Sequence, residues 1–173
     1  QILTKEDYRG QITLKFEFEV SYVPEDIKLA IEEPEEYSIL INGKSIKMEK
    51  TGEYYRDKSF EIVNIAGTLR EGLNFIEATR YFEPLQKPKS VLTSLFQNLS
   101  GVELEEIYLI GDFGVYGTLE PTDTGYVKFS RDFSLGLEQK HAGRELTMVG
   151  YPFYAGSIVL SKTINISDIN YDV

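Results

Sequence analysis

The chain has 173 residues, of which 42% are hydrophobic and 27% charged, a globular composition rather than a disordered one. A formal net charge of -10 opposes nucleic acid and anionic membrane surfaces as partners, and no apolar run approaches the roughly 20 residues of a bilayer-spanning helix. The lack of cysteine excludes disulfides and zinc-thiolate sites, and the single histidine, His141, excludes any centre that needs two imidazoles from one chain.

The first element runs from Ile12 to Val20, where Ile12, Leu14, Phe16, Phe18 and Val20 alternate with polar residues. Period two marks a strand with one buried face. Pro24 follows it, and Ile27 to Ile31 alternates again. An acidic turn of Glu32, Glu33, Pro34, Glu35 and Glu36 leads to Tyr37 to Ile41, which closes on Asn42-Gly43. That dipeptide favours positive φ and predicts a tight hairpin into Lys44, Ser45 and Ile46. Phe60 to Ile65 and Leu73 to Arg80 read as strands, with a turn at Gly72. Residues 84–101 break the alternation. Pro84 and Pro88 sit in a basic stretch, and Val91, Leu92, Leu95, Phe96 and Leu99 have helical spacing, which predicts one short helix near residues 91–99. Strands are expected again at Ile107 to Ile110, Val127 to Phe129, Phe133 to Leu137, Leu146 to Val149 and Ser157 to Ile166.

Short strands separated by turn residues predict an all-β antiparallel sandwich, and no low-complexity linker divides residues 1–173. The opening on Gln1, with no signal-peptide pattern, reads as a piece of a larger protein. Gly10-Gln11-Ile12-Thr13-Leu14 is echoed by Gly156-Ser157-Ile158-Val159-Leu160. The echo is either shared strand composition or a sign that residues 150–173 begin an adjoining module.

Four stretches carry a family resemblance: Leu14 to Val20; Ile39-Leu40-Ile41-Asn42-Gly43-Lys44; Phe60 to Ile65 followed by Leu69-Arg70-Glu71-Gly72-Leu73-Asn74-Phe75-Ile76; and Ile107 to Val115 together with Gly150 to Gly156. In this order they resemble the sugar-binding domain of family 2-type glycoside hydrolases, including α-L-rhamnosidase-like members. The resemblance implies a galactose-binding-like jelly roll and an accessory role beside a separate catalytic barrel, with carbohydrate and the parent's other domains as partners. It implies no catalytic residue in this chain. Asn42 and Asn74 also have a physical reading, the first allowing a tight turn and the second hydrogen-bonding exposed backbone.

Sugar binding needs aromatic faces beside a few polar groups. The candidate clusters are Tyr54 and Tyr55 with Arg56 and Asp57, expected in a turn after Gly52; Tyr81 and Phe82 beside Arg80 and Glu83; and Tyr151, Phe153 and Tyr154 around Pro152. Ordinary packing at the sandwich rim is the competing explanation for each, and a scaffold without a ligand the competing function. The adjacent pairs Glu32/Glu33, Glu35/Glu36 and Glu105/Glu106 point apart on a strand or turn, so they read as solvated charge rather than a glycosidase pair. Asp112, in Gly111-Asp112-Phe113-Gly114, reads as a structural turn residue, and His141, near Lys140 and Arg144, as solvated. No cofactor is expected. A structural calcium on Glu120 and Asp123 is the one metal option, without an EF-hand spacing to support it.

Overall fold

The computed structural model describes residues 8–85, 101–121, 123, 127–129, 132–139, 146–154 and 156–165. Their strands are β1 (Gly10–Val20), β2 (Ile27–Glu32), β3 (Ser38–Ile41), β4 (Lys44–Ser45), β5 (Lys50–Tyr54), β6 (Phe60–Asn64), β7 (Gly72–Phe82), β8 (Tyr108–Gly111), β9 (Gly114–Tyr116), β10 (Leu119–Pro121), β11 (Val127–Phe129) and β12 (Ser134–Gly136). One sheet has the order β4-β3-β7-β1-β12-β9, a second has β5-β6-β2-β8, and β10 and β11 form a separate ribbon. The fold is an all-β sandwich. Its ladders are antiparallel except where β1 meets β12.

The two sheets share one core. Val20, Ile39, Ile41, Ile76, Ala78 and Leu135 come from the larger sheet, and Ile27, Leu29, Ile31 and Val63 from the smaller. In β1 the predicted alternation holds along its length, with Lys15, Glu17 and Glu19 exposed. The inward Leu14, Phe16 and Phe18 are only partly buried against the core. β7 pairs with β1 over its whole length, from Gly10 opposite Phe82 to Val20 opposite Gly72, and these two long strands form the spine of the larger sheet.

An amide pair, one member of it buried, locks the loops at one end of this spine. Asn42 (φ 52) and Gly43 (φ 77) make the two-residue turn between Ile41 and Lys44, with positive φ at both positions as a type I′ turn requires. Asn42 Nδ2 donates to Asn74 Oδ1 at 2.8 Å and to the Thr68 carbonyl at 3.1 Å, while its Oδ1 accepts from the Phe75 amide. Asn74 is fully buried. Its Nδ2 donates to the carbonyls of Arg70 (2.7 Å) and Gly72 (2.8 Å), and its Oδ1 also accepts from the Arg70 amide. Two of the four stretches that carry the family resemblance are therefore one hydrogen-bonded unit.

The chain passes between the sheets several times, and the shortest link joins β8 and β9, edge strands of different sheets, through Asp112 and Phe113. A Cβ on Gly111 would lie 2.2 Å from the Asp26 carbonyl oxygen, so glycine is required where the crossing grazes the smaller sheet. Asp112 is exposed at this turn, and its amide donates to the Asp26 carbonyl at 3.3 Å.

Several expectations need correction. Leu146 to Val149 is no strand: Leu146–Met148 is a single 3-10 turn, closed by the Val149 and Tyr151 amides on the Leu146 carbonyl. Residues 157–165 form no strand either, because nothing among the described residues pairs with them, and alternation alone does not supply a ladder partner. Tyr54 ends strand β5 rather than standing in a turn, and β5 itself, fully exposed, has no alternation to announce it. The short β9 and β10 were also not expected. The helix near residues 91–99 and the His141 loop with Lys140 and Arg144 lie outside the described residues.

Replacing Asn74 by Ala takes one acceptor from the Asn42 amide and strands the Arg70 amide and the Arg70 and Gly72 carbonyls at once. The expected loss is on the order of 3 kcal/mol, read as a lowered urea midpoint with unchanged m-value. A double-mutant cycle with Asn42→Ala should show a coupling of about 1 kcal/mol.

Candidate functional site

Three surface clusters were expected, and the structure gives them different characters. The first is built on the smaller sheet. Ala30 is the register partner of both Ile62 on β6 and Tyr108 on β8, so these three share the face opposite the core residues Leu29 and Val63. Ala30 and Ile62 are nevertheless buried. The aromatic rings gathered nearby explain this: Tyr108 packs on Tyr55 with centroids 5.0 Å apart and on Phe60 at 5.6 Å. The Arg56 guanidinium lies 5.6 Å from both the Tyr55 and Tyr108 ring centres. Arg56 holds a positive φ of 65, in the turn that returns β5 into β6, where Asp57 accepts hydrogen bonds from the Ser59 amide and hydroxyl. Tyr54 is 54% exposed beside it.

Carboxylates surround this aromatic patch. The Tyr108 hydroxyl donates to Glu106 Oε2 at 3.1 Å, and this bond, with some desolvation, raises its pKa. Glu105 is held above the ordinary carboxylate range, first by desolvation and then by the charges of Glu32, Glu103, Glu106 and Asp57. Aromatic faces, one stacked cation and several acceptors thus converge on one side of the smaller sheet.

The second cluster sits beside the β9 edge of the larger sheet, where the Val115 amide bonds the Gly150 carbonyl at 2.8 Å. Tyr151 is half-buried and its hydroxyl donates to Glu138, which raises its pKa ahead of the effect of burial. Phe153 is 69% exposed, with its ring 5.1 Å from that of Phe133. Tyr154 is exposed and its hydroxyl bonds the Ser157 carbonyl. Polar partners here serve the local loop.

The third cluster separates. Arg80 is buried, donates to Glu33 at 3.0 Å and to the Tyr37 hydroxyl at 3.4 Å, and stacks on the Tyr37 ring at 4.8 Å. Desolvation opposes its charge, and the bonds to Tyr37 and Glu33 outweigh it, raising its pKa. Among the described residues its Nε has no hydrogen-bond partner. Tyr81 faces solvent on the other side of the strand, and Glu83 pairs with Arg9 at 3.1 Å. Glu33 is therefore an anchor for Arg80 rather than simple solvated charge, and Glu35 likewise bonds Lys50 at 2.8 Å.

Among the described residues no group of His, Asp or Glu side chains is arranged to hold a metal ion, Glu120 and Asp123 included. Two cavities open near β1, and none of Tyr54, Tyr55, Arg56, Asp57, Tyr151, Phe153 and Tyr154 lines either. Compared with known proteins, the chain matches no family model, no curated protein and no solved structure.

Tyr108 is not singled out by the sequence reading, which takes Glu105 and Glu106 as solvated charge. Their place beside Tyr55 depends on β8 pairing with β2, a contact across some eighty residues of chain that no local pattern encodes.

Because the folded-state pKa of Glu105 is raised, the native protein holds this proton more tightly than the unfolded chain. Stability is therefore lost as pH rises through the window between its unfolded and folded pKa. Glu105→Gln should raise Tm at neutral pH, and the gain should vanish below the ordinary carboxylate range, as followed by thermal melts across pH.

Proposed function

We propose that this chain is a non-catalytic accessory module of a glycoside-acting protein, binding carbohydrate or docking to a neighbouring domain. The observation that carries the sugar-binding reading is the patch of Tyr55, Arg56 and Tyr108 with the carboxylates Glu105, Glu106 and Asp57 near it, Tyr54 standing on the other face of the sheet by its register. Ring faces offer the apolar contact that a pyranose presents, and carboxylates accept from its hydroxyls. The link to glycoside hydrolases rests on the resemblance carried by the order of the Asn42 and Asn74 motifs in the sequence.

A purely structural role has its own support. Tyr55, Phe60 and Tyr108 gather where Ala30 and Ile62 would otherwise be exposed, which is a sufficient reason for three aromatics to stand there.

Titration with galactose, rhamnose, glucose and oligosaccharides, followed by heat release and tyrosine fluorescence, separates the two. Saturable binding weakened roughly tenfold by Tyr55→Ala, the loss of about 1.4 kcal/mol of stacking, is the expected result. If Tyr154→Ala abolishes binding instead, the site lies at the β9 edge. Silence across the panel from a chain shown to be folded would favour the scaffold.

A further inference from the structure

The turn between β3 and β4 places two mutually reactive groups side by side. Of the chain's asparagines only Asn42 is followed by glycine; Asn64, Asn74, Asn98, Asn165 and Asn170 precede Ile, Phe, Leu, Ile and Tyr. An asparagine carboxamide is open to attack by the amide nitrogen of the next residue, which closes a five-membered ring. A side chain on that next residue hinders the approach, and Gly43 has none. Gly43 is exposed, with open space where a Cβ would stand. Among the described residues its amide has no hydrogen-bond partner, so the nucleophile is free.

The carboxamide, by contrast, is held. The Phe75 amide can only donate, so the Asn42 oxygen faces it at 3.1 Å. Nδ2 then faces two acceptors, the Thr68 carbonyl at 3.1 Å and Asn74 Oδ1 at 2.8 Å. The backbone amide of Asn42 adds a further bond to the Phe75 carbonyl at 2.9 Å. Ring closure draws Cγ onto the Gly43 nitrogen and expels Nδ2, which takes the carboxamide out of all three side-chain bonds.

We infer that Asn42 is a deamidation site gated by the lock: inert while Asn42 and Asn74 are bonded, converted when they part, and unable to re-form the lock afterwards. The Gly43 nitrogen bonds to Asn42 Cγ, the Cγ–Nδ2 bond breaks, and ammonia leaves with the proton that the Gly43 amide gives up. Water then opens the cyclic imide at either carbonyl, its hydroxyl going to carbon and its proton to the ring nitrogen, to give aspartate or isoaspartate at position 42. The product sets a carboxylate against two acceptors, the Thr68 carbonyl and Asn74 Oδ1. Asn74 cannot turn its amide round to meet it, because its Oδ1 accepts from the Arg70 amide and its Nδ2 donates to the Arg70 and Gly72 carbonyls. Acceptor facing acceptor beside a buried side chain is unfavourable, so an opening that ends in chemistry is final. Isoaspartate also lengthens the backbone of a two-residue turn that sets the β3–β4 register. The inference is independent of any sugar ligand.

Peptide mapping by mass spectrometry, on the full chain held in mildly alkaline buffer for increasing times, reads the conversion at each asparagine. In urea above the unfolding midpoint Asn42 should convert faster than every other asparagine. Without urea it should persist at least about a hundredfold longer, because only the open fraction reacts. That comparison needs no variant. Asn74→Ala, shown to be folded by circular dichroism, should speed the native conversion at least about tenfold. Ile31→Ala is the control, a core truncation in the smaller sheet toward the Glu33–Arg80 end of the sandwich. For an equal drop in urea midpoint it should speed the conversion less. Asn42→Asp carries the product's carboxylate and should lower the urea midpoint. The inference is overturned by native conversion as fast as in urea, by a rate indifferent to Asn74→Ala, by equal acceleration from Ile31→Ala at matched midpoint, or by an Asn42→Asp chain as stable as the parent.

Discussion

The Asn42–Asn74 amide pair is the constraint around which the larger sheet is organised. Two side-chain amides, one of them sealed from solvent, tie the β3–β4 turn to the loop leading into β7. That loop must bring β7 in with a register that puts Ile76 and Ala78 inward, because a slip of one residue would send both to solvent. With β7 fixed, β1 follows along its full length, and the inner face on which the smaller sheet packs is set. Buried polar networks of this kind specify one arrangement when every member is satisfied. Here each amide group has a partner.

Charge is arranged with similar economy. Arg80 lies inside the sandwich rim, and its cost is offset by Glu33, by the Tyr37 hydroxyl and by the Tyr37 ring. Glu33 takes a left-handed conformation (φ 46) at the start of the Pro34–Glu36 turn, and from that turn its carboxylate reaches Arg80. The acidic character of the chain therefore has two parts. Some carboxylates are structural anchors, and Glu105 stands where desolvation and acidic neighbours raise its proton affinity.

Much of the fold was legible in the sequence because its signals are local. The alternation from Ile12 to Val20, the Asn42-Gly43 turn and the run from Leu73 to Arg80 need no knowledge of neighbours. The errors share a cause. Residues 157–164 have a strand's composition but no ladder, and Leu146 to Val149 was too short for composition to outweigh turn chemistry. β5 went unseen because it is exposed on both faces, so its side chains carry no period. For the candidate site, Tyr54 to Asp57 could be named from composition, but Tyr108 could not. Its ring joins the cluster only through the β2–β8 pairing, and Arg80 left its own cluster for the interior through a partner 47 positions away.

The crossing through Asp112 and Phe113 also sets a mechanical limit. Gly111 and Gly114 are three Cα steps apart, so the link spans at most roughly 11 Å, against about 10 Å between packed sheets. Within that limit the Phe113 amide folds back on the Gly111 carbonyl at 3.1 Å, so the link is a tight turn, and it keeps the ends of β8 and β9 near each other on the side that bears the apolar cavity.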